Sequence, residues 1–120
     1  MYDQFTIVTH INHVSEFDRE VEEAFLKLKN FHHLTQSVLL KGINDNPISL
    51  KKLFLKISSC NARAYYLHHP DKVRGGMHFY LSTEEGYSIF NKLRDITPGW
   101  AIPTYIIDNP KGKRPVGEYL

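Results

Sequence analysis

Polar and titratable side chains collect in four short stretches of this 120-residue chain: His10 to His13, Lys41 to Asp45, His68 to Asp71 and Asp108 to Lys113. His10 and His13, taken with His68, His69 and Asp71, are side chains from which a zinc or iron site can be built, because neutral imidazole and carboxylate suit both metals. The same spacing is also met in ordinary polar loops. Asp71 and Asp108 could converge on one cation, and paired carboxylates are what a specific ammonium site needs. Each could equally cap a turn. From Pro110 to Pro115 the chain is basic and holds Lys111, Gly112 and Lys113. A lysine amine there could capture a carbonyl cofactor such as pyridoxal phosphate, although the segment also reads as a solvated basic tail.

Secondary-structure elements must position these stretches. Phe5 to His10 is rich in β-branched residues and reads as a strand. Ser15 followed by Asp18 resembles a capping box, and Val21, Ala24, Phe25 and Leu28 share one helical face. Leu34 to Leu40 is a second strand. Asn46 and Pro47 provide a cap and a first helical residue, and Leu50, Leu53, Phe54 and Ile57 again share a face. Arg63 to Leu67 is a third strand, in which one of Tyr65 and Tyr66 should point inward. A long loop runs from His68 to Ser82. Ser82 with Glu85 is another capping box, and Ile89, Phe90, Leu93 and Ile96 are expected to face inward. Pro98 and Gly99 stop this helix, and Thr104 to Ile107 is a fourth strand.

The predicted order is βαβαβαβ, a single α/β domain over residues 1–120 with a parallel sheet and right-handed crossovers. Such a sheet is either a free α/β layer or part of a barrel, and a chain opening directly on a strand favours the barrel. In either case chemistry gathers at the C-terminal ends of the strands, where the polar stretches fall. The open edges of a partial barrel should recruit other strands, so the isolated chain is expected to dimerise or aggregate.

Composition narrows the function. Fifteen Lys and Arg against thirteen Asp and Glu give a net charge of +2, too weak and too interspersed for a nucleic-acid or membrane-surface module. The one cysteine, Cys60, forms no disulfide within the chain and reads as a small packing residue. The first residues lack the basic and apolar regions of a signal peptide, and no apolar run reaches the ~18 residues of a membrane helix. A cytoplasmic protein is expected.

Read in order, the segments resemble the C-terminal portion of the lysine 2,3-aminomutase family, which uses a radical, S-adenosylmethionine and pyridoxal phosphate. The phrases that carry the resemblance are Thr9 to His13, Gln36 to Leu40, Gly42 to Asp45, Tyr65 to Leu67, Asp71 with His78 and Phe79, Pro103 and Thr104, and Asp108 to Pro110 through Lys113 to Val116. The resemblance implies part of a (β/α) partial TIM barrel. It also implies an isomerase that moves the amino group of lysine from C2 to C3. In that family a 4Fe-4S cluster cleaves S-adenosylmethionine. By resemblance Lys113 holds pyridoxal phosphate, Asp71 and Asp108 grip the substrate ammonium, and His10 and Gln36 lie near S-adenosylmethionine. Paired anions favour lysine over glutamate.

Three features depart from the family. The loop before Lys113 is shorter, which leaves Lys111 as a competing cofactor lysine. His68 stands where a tyrosine is usual. The three-cysteine cluster motif is absent, and such clusters need thiolates. The chain is therefore expected to be inactive without an iron–sulphur half. The alternatives are a module that binds pyridoxal phosphate or an amino acid, or docks to a partner supplying the missing half, and a small metal-dependent hydrolase built on His10, His13, His68 and Asp71.

Overall fold

Each strand in this chain settles beside the one that precedes it. The computed structural model describes residues 6–28, 30–70, 77–109 and 112–116. In chain order the elements are β1 (Thr6–His10), α1 (Arg19–Lys27), β2 (His32–Val38), α2 (Pro47–Ser59), β3 (Arg63–His68), α3 (Thr83–Ile96), β4 (Thr104–Asn109) and β5 (Gly112–Pro115). The sheet order is β1-β2-β3-β4-β5. Strands β1 to β4 pair in parallel, as the alternating pattern predicts. Right-handed crossovers that always step the same way put all three helices over one face.

The most regular sequence signals give the most regular elements. Asn46 accepts a hydrogen bond from the Ser49 amide at 2.8 Å, and Pro47 takes the first turn of α2. Leu50, Leu53, Phe54 and Ile57 are all fully buried and pack with Leu39, Ala64, Leu67 and Leu93 in the core. Ser82 and Glu85 cap α3 reciprocally.

Several expectations need correction. Helix α1 is capped by Asp18, whose carboxylate accepts from the Val21 amide at 2.9 Å. Ser15 instead lies inside a preceding 3-10 turn, Val14–Glu16, because the His13 ring accepts from the Ser15 amide first. On α1 only Phe25 is buried, and Ala24 is exposed. Ile96, in the last turn of α3, is turned to solvent at 38% exposure. The segment from Gly112 to Pro115 is a strand and no solvated tail. It pairs antiparallel with β4, and Gly112 supplies the positive φ of +117° at its start. The sheet therefore has five strands, and the edge of β4 is covered by β5.

The two faces of the sheet differ sharply. Over β2 the helix side is polar: His33, Thr35 and Ser37 are all buried. His33 Nε2 lies 2.8 Å from the Thr9 hydroxyl, and its ring stacks on Phe25 with centroids 4.1 Å apart. Ser37 donates to the Ile11 carbonyl. The opposite side carries no helix among the described residues. There Gln36, Tyr66 and His68 are only half-buried, and Val8 is 46% exposed.

Phe54 lies at the centre of the α2 contact and is fully buried. Phe54→Ala should lower unfolding free energy by about 3–5 kcal/mol in urea titration; a loss below about 1 kcal/mol would place the core elsewhere.

Candidate functional site

The C-terminal ends of the parallel strands bring three of the expected residues into line. In register His10 pairs with Gln36, and Gln36 pairs with Tyr66 across the bulge in β2 and β3. His68 follows two residues later and pairs with Val38 and Ile106. Side chains alternate across a strand, so Gln36, Tyr66 and His68 share the bare face. His68 Nε2 lies 3.0 Å from the Gln36 amide oxygen, so Nε2 carries the proton and donates. The Tyr66 ring meets His68 edge-on at 5.7 Å. The histidine that replaces the family's usual tyrosine thus holds the residue that the resemblance assigns near S-adenosylmethionine.

A second arrangement fixes the loops beyond these strands. Asn12 accepts from the Val38 amide at 2.8 Å and so extends the ladder of β2 beyond the end of β1. Asn44 is 1% exposed. Its amide nitrogen donates to the carbonyls of Asn12 (2.8 Å) and Val38 (2.9 Å), and its oxygen accepts from the Leu40 amide at 2.8 Å. One side chain therefore satisfies three main-chain groups and ties the His10–His13 loop to the Lys41–Asp45 loop. Sequence reading placed both asparagines in polar stretches but did not assign this clasp. Its signal is an asparagine just past each of two neighbouring strands, with Gly42 at φ +82° turning the second loop.

A buried histidine–tyrosine pair anchors the end of β3. His69 Nδ1 and the Tyr105 hydroxyl lie 2.7 Å apart, and the His69 amide donates to the Ile106 carbonyl at 2.8 Å. Gly86 on α3 makes room for them: a Cβ there would come within 1.9 Å of the Tyr105 oxygen. Burial pushes the Tyr105 hydroxyl well above its usual range and lowers His69, which the nearby Leu81 backbone offsets in part. Among the described residues no well-formed hydrogen bond reaches His69 Nε2. His33 is lowered by the same cause, and among the described residues its Nδ1 also lacks a partner.

The remaining expected residues divide. His13 caps the 3-10 turn and lies 2.9 Å from the Ser15 hydroxyl, which gives it a local structural role. Asp71 and Lys111 lie outside the described residues. By backbone register Asp108 stands directly opposite Lys113 in the β4–β5 hairpin, so the hairpin brings these two positions together. Cys60 is buried at the C-terminal cap of α2. Among the described residues no group of three His, Cys, Asp or Glu side chains stands close enough to hold a metal, and no helix is long and apolar enough to cross a membrane.

The described residues define an α/β protein whose sheet has four parallel strands in consecutive order, with polar residues at the strand ends. No family model matches the chain. Curated relatives do. It is 43% identical over 102 residues to an L-lysine 2,3-aminomutase of Haemophilus influenzae, covering 83% of this chain and 30% of that protein. It is 38% identical over 113 residues to an L-lysine 2,3-aminomutase of Methanococcus maripaludis, covering 92% of this chain and 26% of the other. It is equally 38% identical over 113 residues to a glutamate 2,3-aminomutase of Clostridioides difficile, covering 92% and 27%. The chain belongs to the lysine 2,3-aminomutase family and corresponds to its C-terminal portion. It spans under a third of the length of these relatives.

Two expected outcomes follow from the site. Asn44→Ala leaves three main-chain groups without their partner and should cost about 2–4 kcal/mol, since each buried unsatisfied group costs about 1–3 kcal/mol and relaxation recovers part. Hydrogen exchange at the Leu40 amide should accelerate in step; unchanged exchange would dismiss the clasp. The second concerns pH. His33 and His69 are both held below the ordinary histidine value of 6.5 by burial. Below that value the unfolded chain binds more protons than the folded one, so stability falls as pH falls. The thermal midpoint should drop between about pH 7.5 and about pH 5.5, and drop less in His33→Leu. Glu85 is held below its usual range by Ser82, so its contribution is lost only at lower pH.

Proposed function

We propose that this chain is the substrate- and pyridoxal phosphate-binding C-terminal part of an L-lysine 2,3-aminomutase, and that its sheet is a sector of a (β/α) barrel. The observation that carries this reading is the β4–β5 hairpin, which sets Lys113 opposite Asp108 in a chain 34–43% identical to aminomutases. The barrel assignment draws support from the consecutive strand order, since a doubly wound sheet reverses its order and covers both faces.

In this reading Lys113 holds pyridoxal phosphate through its amine, with Lys111 as the competing lysine. The cofactor, when bound, would supply the carbonyl carbon that captures the migrating amino group. Asp108 and Asp71 grip the side-chain ammonium of lysine, and two carboxylates select that cation over the acidic side chain of glutamate. Identity alone does not separate the two substrates, because relatives of both names match equally well. His10 and Gln36 line the S-adenosylmethionine side, with His68 orienting the Gln36 amide. The Asn12–Asn44 clasp keeps the loop after His10 from moving relative to β2.

The 4Fe-4S cluster does not fit this chain. Such clusters need several thiolates, and the one cysteine is buried at the end of α2 that precedes β3. Cleavage of S-adenosylmethionine is therefore assigned to polypeptide beyond this chain, and the chain alone is expected to be inactive. It is also expected to self-associate through the free edge of β1.

Titration of the chain with pyridoxal phosphate tests the reading. A new visible absorbance band should form with one equivalent, vanish in Lys113→Ala and persist in Lys111→Ala. Lysine should perturb it at concentrations at least about tenfold lower than glutamate, a difference of about 1.4 kcal/mol. Absence of any band, or a band indifferent to Lys113, would contradict the assignment.

A further inference from the structure

Strand β3 carries one residue more than its register with β2 requires. Leu34 pairs with Arg63 and Thr35 with Ala64, but Gln36 pairs with Tyr66, so Tyr65 is left over as a bulge. Neighbouring residues of a regular strand point to opposite faces. Here the Tyr65 and Tyr66 rings lie together, with centroids 4.3 Å apart. The extra residue reverses the alternation beyond it. Ala64 and Leu67 therefore both enter the core, while Tyr66 and His68 turn to the bare face. Strict alternation from Ala64 would send Leu67 to the bare face and His68 into the core.

The bulge also sets the level at which these rings stand. Register places His10, Gln36 and Tyr66 in one row across β1, β2 and β3. Val8 and Leu34 form the row below, with Arg63 paired to Leu34, and His68 lies one step nearer the C-terminal edge. Tyr66 meets the His68 ring edge-on at 5.7 Å, with 70° between the planes. The His68 Nε2–H donates to the Gln36 amide oxygen at 3.0 Å. The amide is thereby held with its nitrogen turned from His68, and that nitrogen donates and cannot accept.

We propose that Tyr66 is a positioning residue of this site, placed by the Tyr65 bulge, and that through His68 it fixes the Gln36 amide as a hydrogen-bond donor to an acceptor oxygen or nitrogen of the adenosyl ligand. This rests on the family reading above, which puts Gln36 on the S-adenosylmethionine side, and adds how that side selects its ligand. The presence of an extra residue matters, whereas the identity of Tyr65, 43% exposed, does not. Deleting Tyr65 would expel Leu67 from the core, so point variants carry the test.

The probe is S-adenosylhomocysteine, titrated into the nitrogen-15-labelled chain; it lacks the sulfonium charge that a new carboxylate would attract. Binding should move the Gln36 side-chain amide signals. Gln36→Glu still accepts from His68 but donates nothing, and should weaken binding at least about tenfold. Tyr66→Leu should weaken it as much, and imidazole spectra should show His68 no longer held with its proton on Nε2. Tyr66→Phe keeps the ring edge and should restore binding to within about threefold, and Tyr65→Ala should match the unaltered chain. If Tyr66→Leu fails to fold, Gln36→Glu and Tyr65→Ala still decide the matter. No binding of the probe, full binding by Gln36→Glu or by folded Tyr66→Leu, a Tyr66→Phe as weak as Tyr66→Leu, or loss of binding in Tyr65→Ala would each overturn the proposal. Probe binding without Lys113-dependent absorbance would sink the cofactor reading alone, and that absorbance without probe binding would sink this proposal alone.

Discussion

Every crossover in this chain turns the same way, and that single constraint arranges everything else. Four parallel strands in consecutive order put the helices over one face and gather the strand ends along one edge. The core then has only one side to fill. Leu50, Leu53, Phe54 and Ile57 of α2 fill its centre completely, while the other face keeps the half-buried Gln36, Tyr66 and His68. Apolar volume is concentrated under α2 and α3, while hydrogen-bonding groups lie at the strand ends, on the bare side and along the buried side of β2.

Two polar devices join these halves. The Asn12–Asn44 clasp replaces missing ladder hydrogen bonds where β1 and β2 end. The His69–Tyr105 pair, seated against Gly86, does the same between β3, β4 and α3. Both are uncharged, with Asn44, His69 and Tyr105 buried, so they hold loops in place without bringing a fixed charge near the site. Among the described residues His33 and His69 each keep a buried ring nitrogen without a hydrogen-bond partner, and burial makes protonation of either costly. Acid sensitivity is thus built into one residue at the start of β2, His33, and one beyond the end of β3, His69.

The sequence made some of this legible and concealed the rest for identifiable reasons. Helix α2 is announced by a cap, a proline and a clean apolar stripe, three local signals that agree. Helix α3 is announced by its capping box. The start of α1 was misplaced because Ser15 and Asp18 are both good caps, and the choice between them falls to His13, whose capping role is not written in its type. Strand β5 was hidden inside a basic segment, since antiparallel pairing depends on β4 lying opposite and Gly112 adopting a positive φ. The polar inner side of β2 defeats periodicity altogether: His33, Thr35 and Ser37 alternate as a buried face should, with the wrong polarity. Among site residues, the adjacency of the strands that carry His10 and Gln36 follows from strand order, whereas their register, the clasp and the His69–Tyr105 pair need the third dimension. Asp71 and Lys111 lie outside the described residues and rest on the sequence reading.

The central claim is that the strand ends and the β4–β5 hairpin together bind a cationic amino acid and its cofactor. Mapping amide shifts by two-dimensional NMR, with pyridoxal phosphate and lysine added to the labelled chain, tests it most directly. The account predicts that the perturbed amides cluster at His10, Gln36, His68 and Asp108 to Lys113. Shifts confined to the opposite ends of the strands, around His32 and Arg63, or to the cavity of about 380 Å³ between α3 and β4 lined by Phe90 and Arg94, would contradict it.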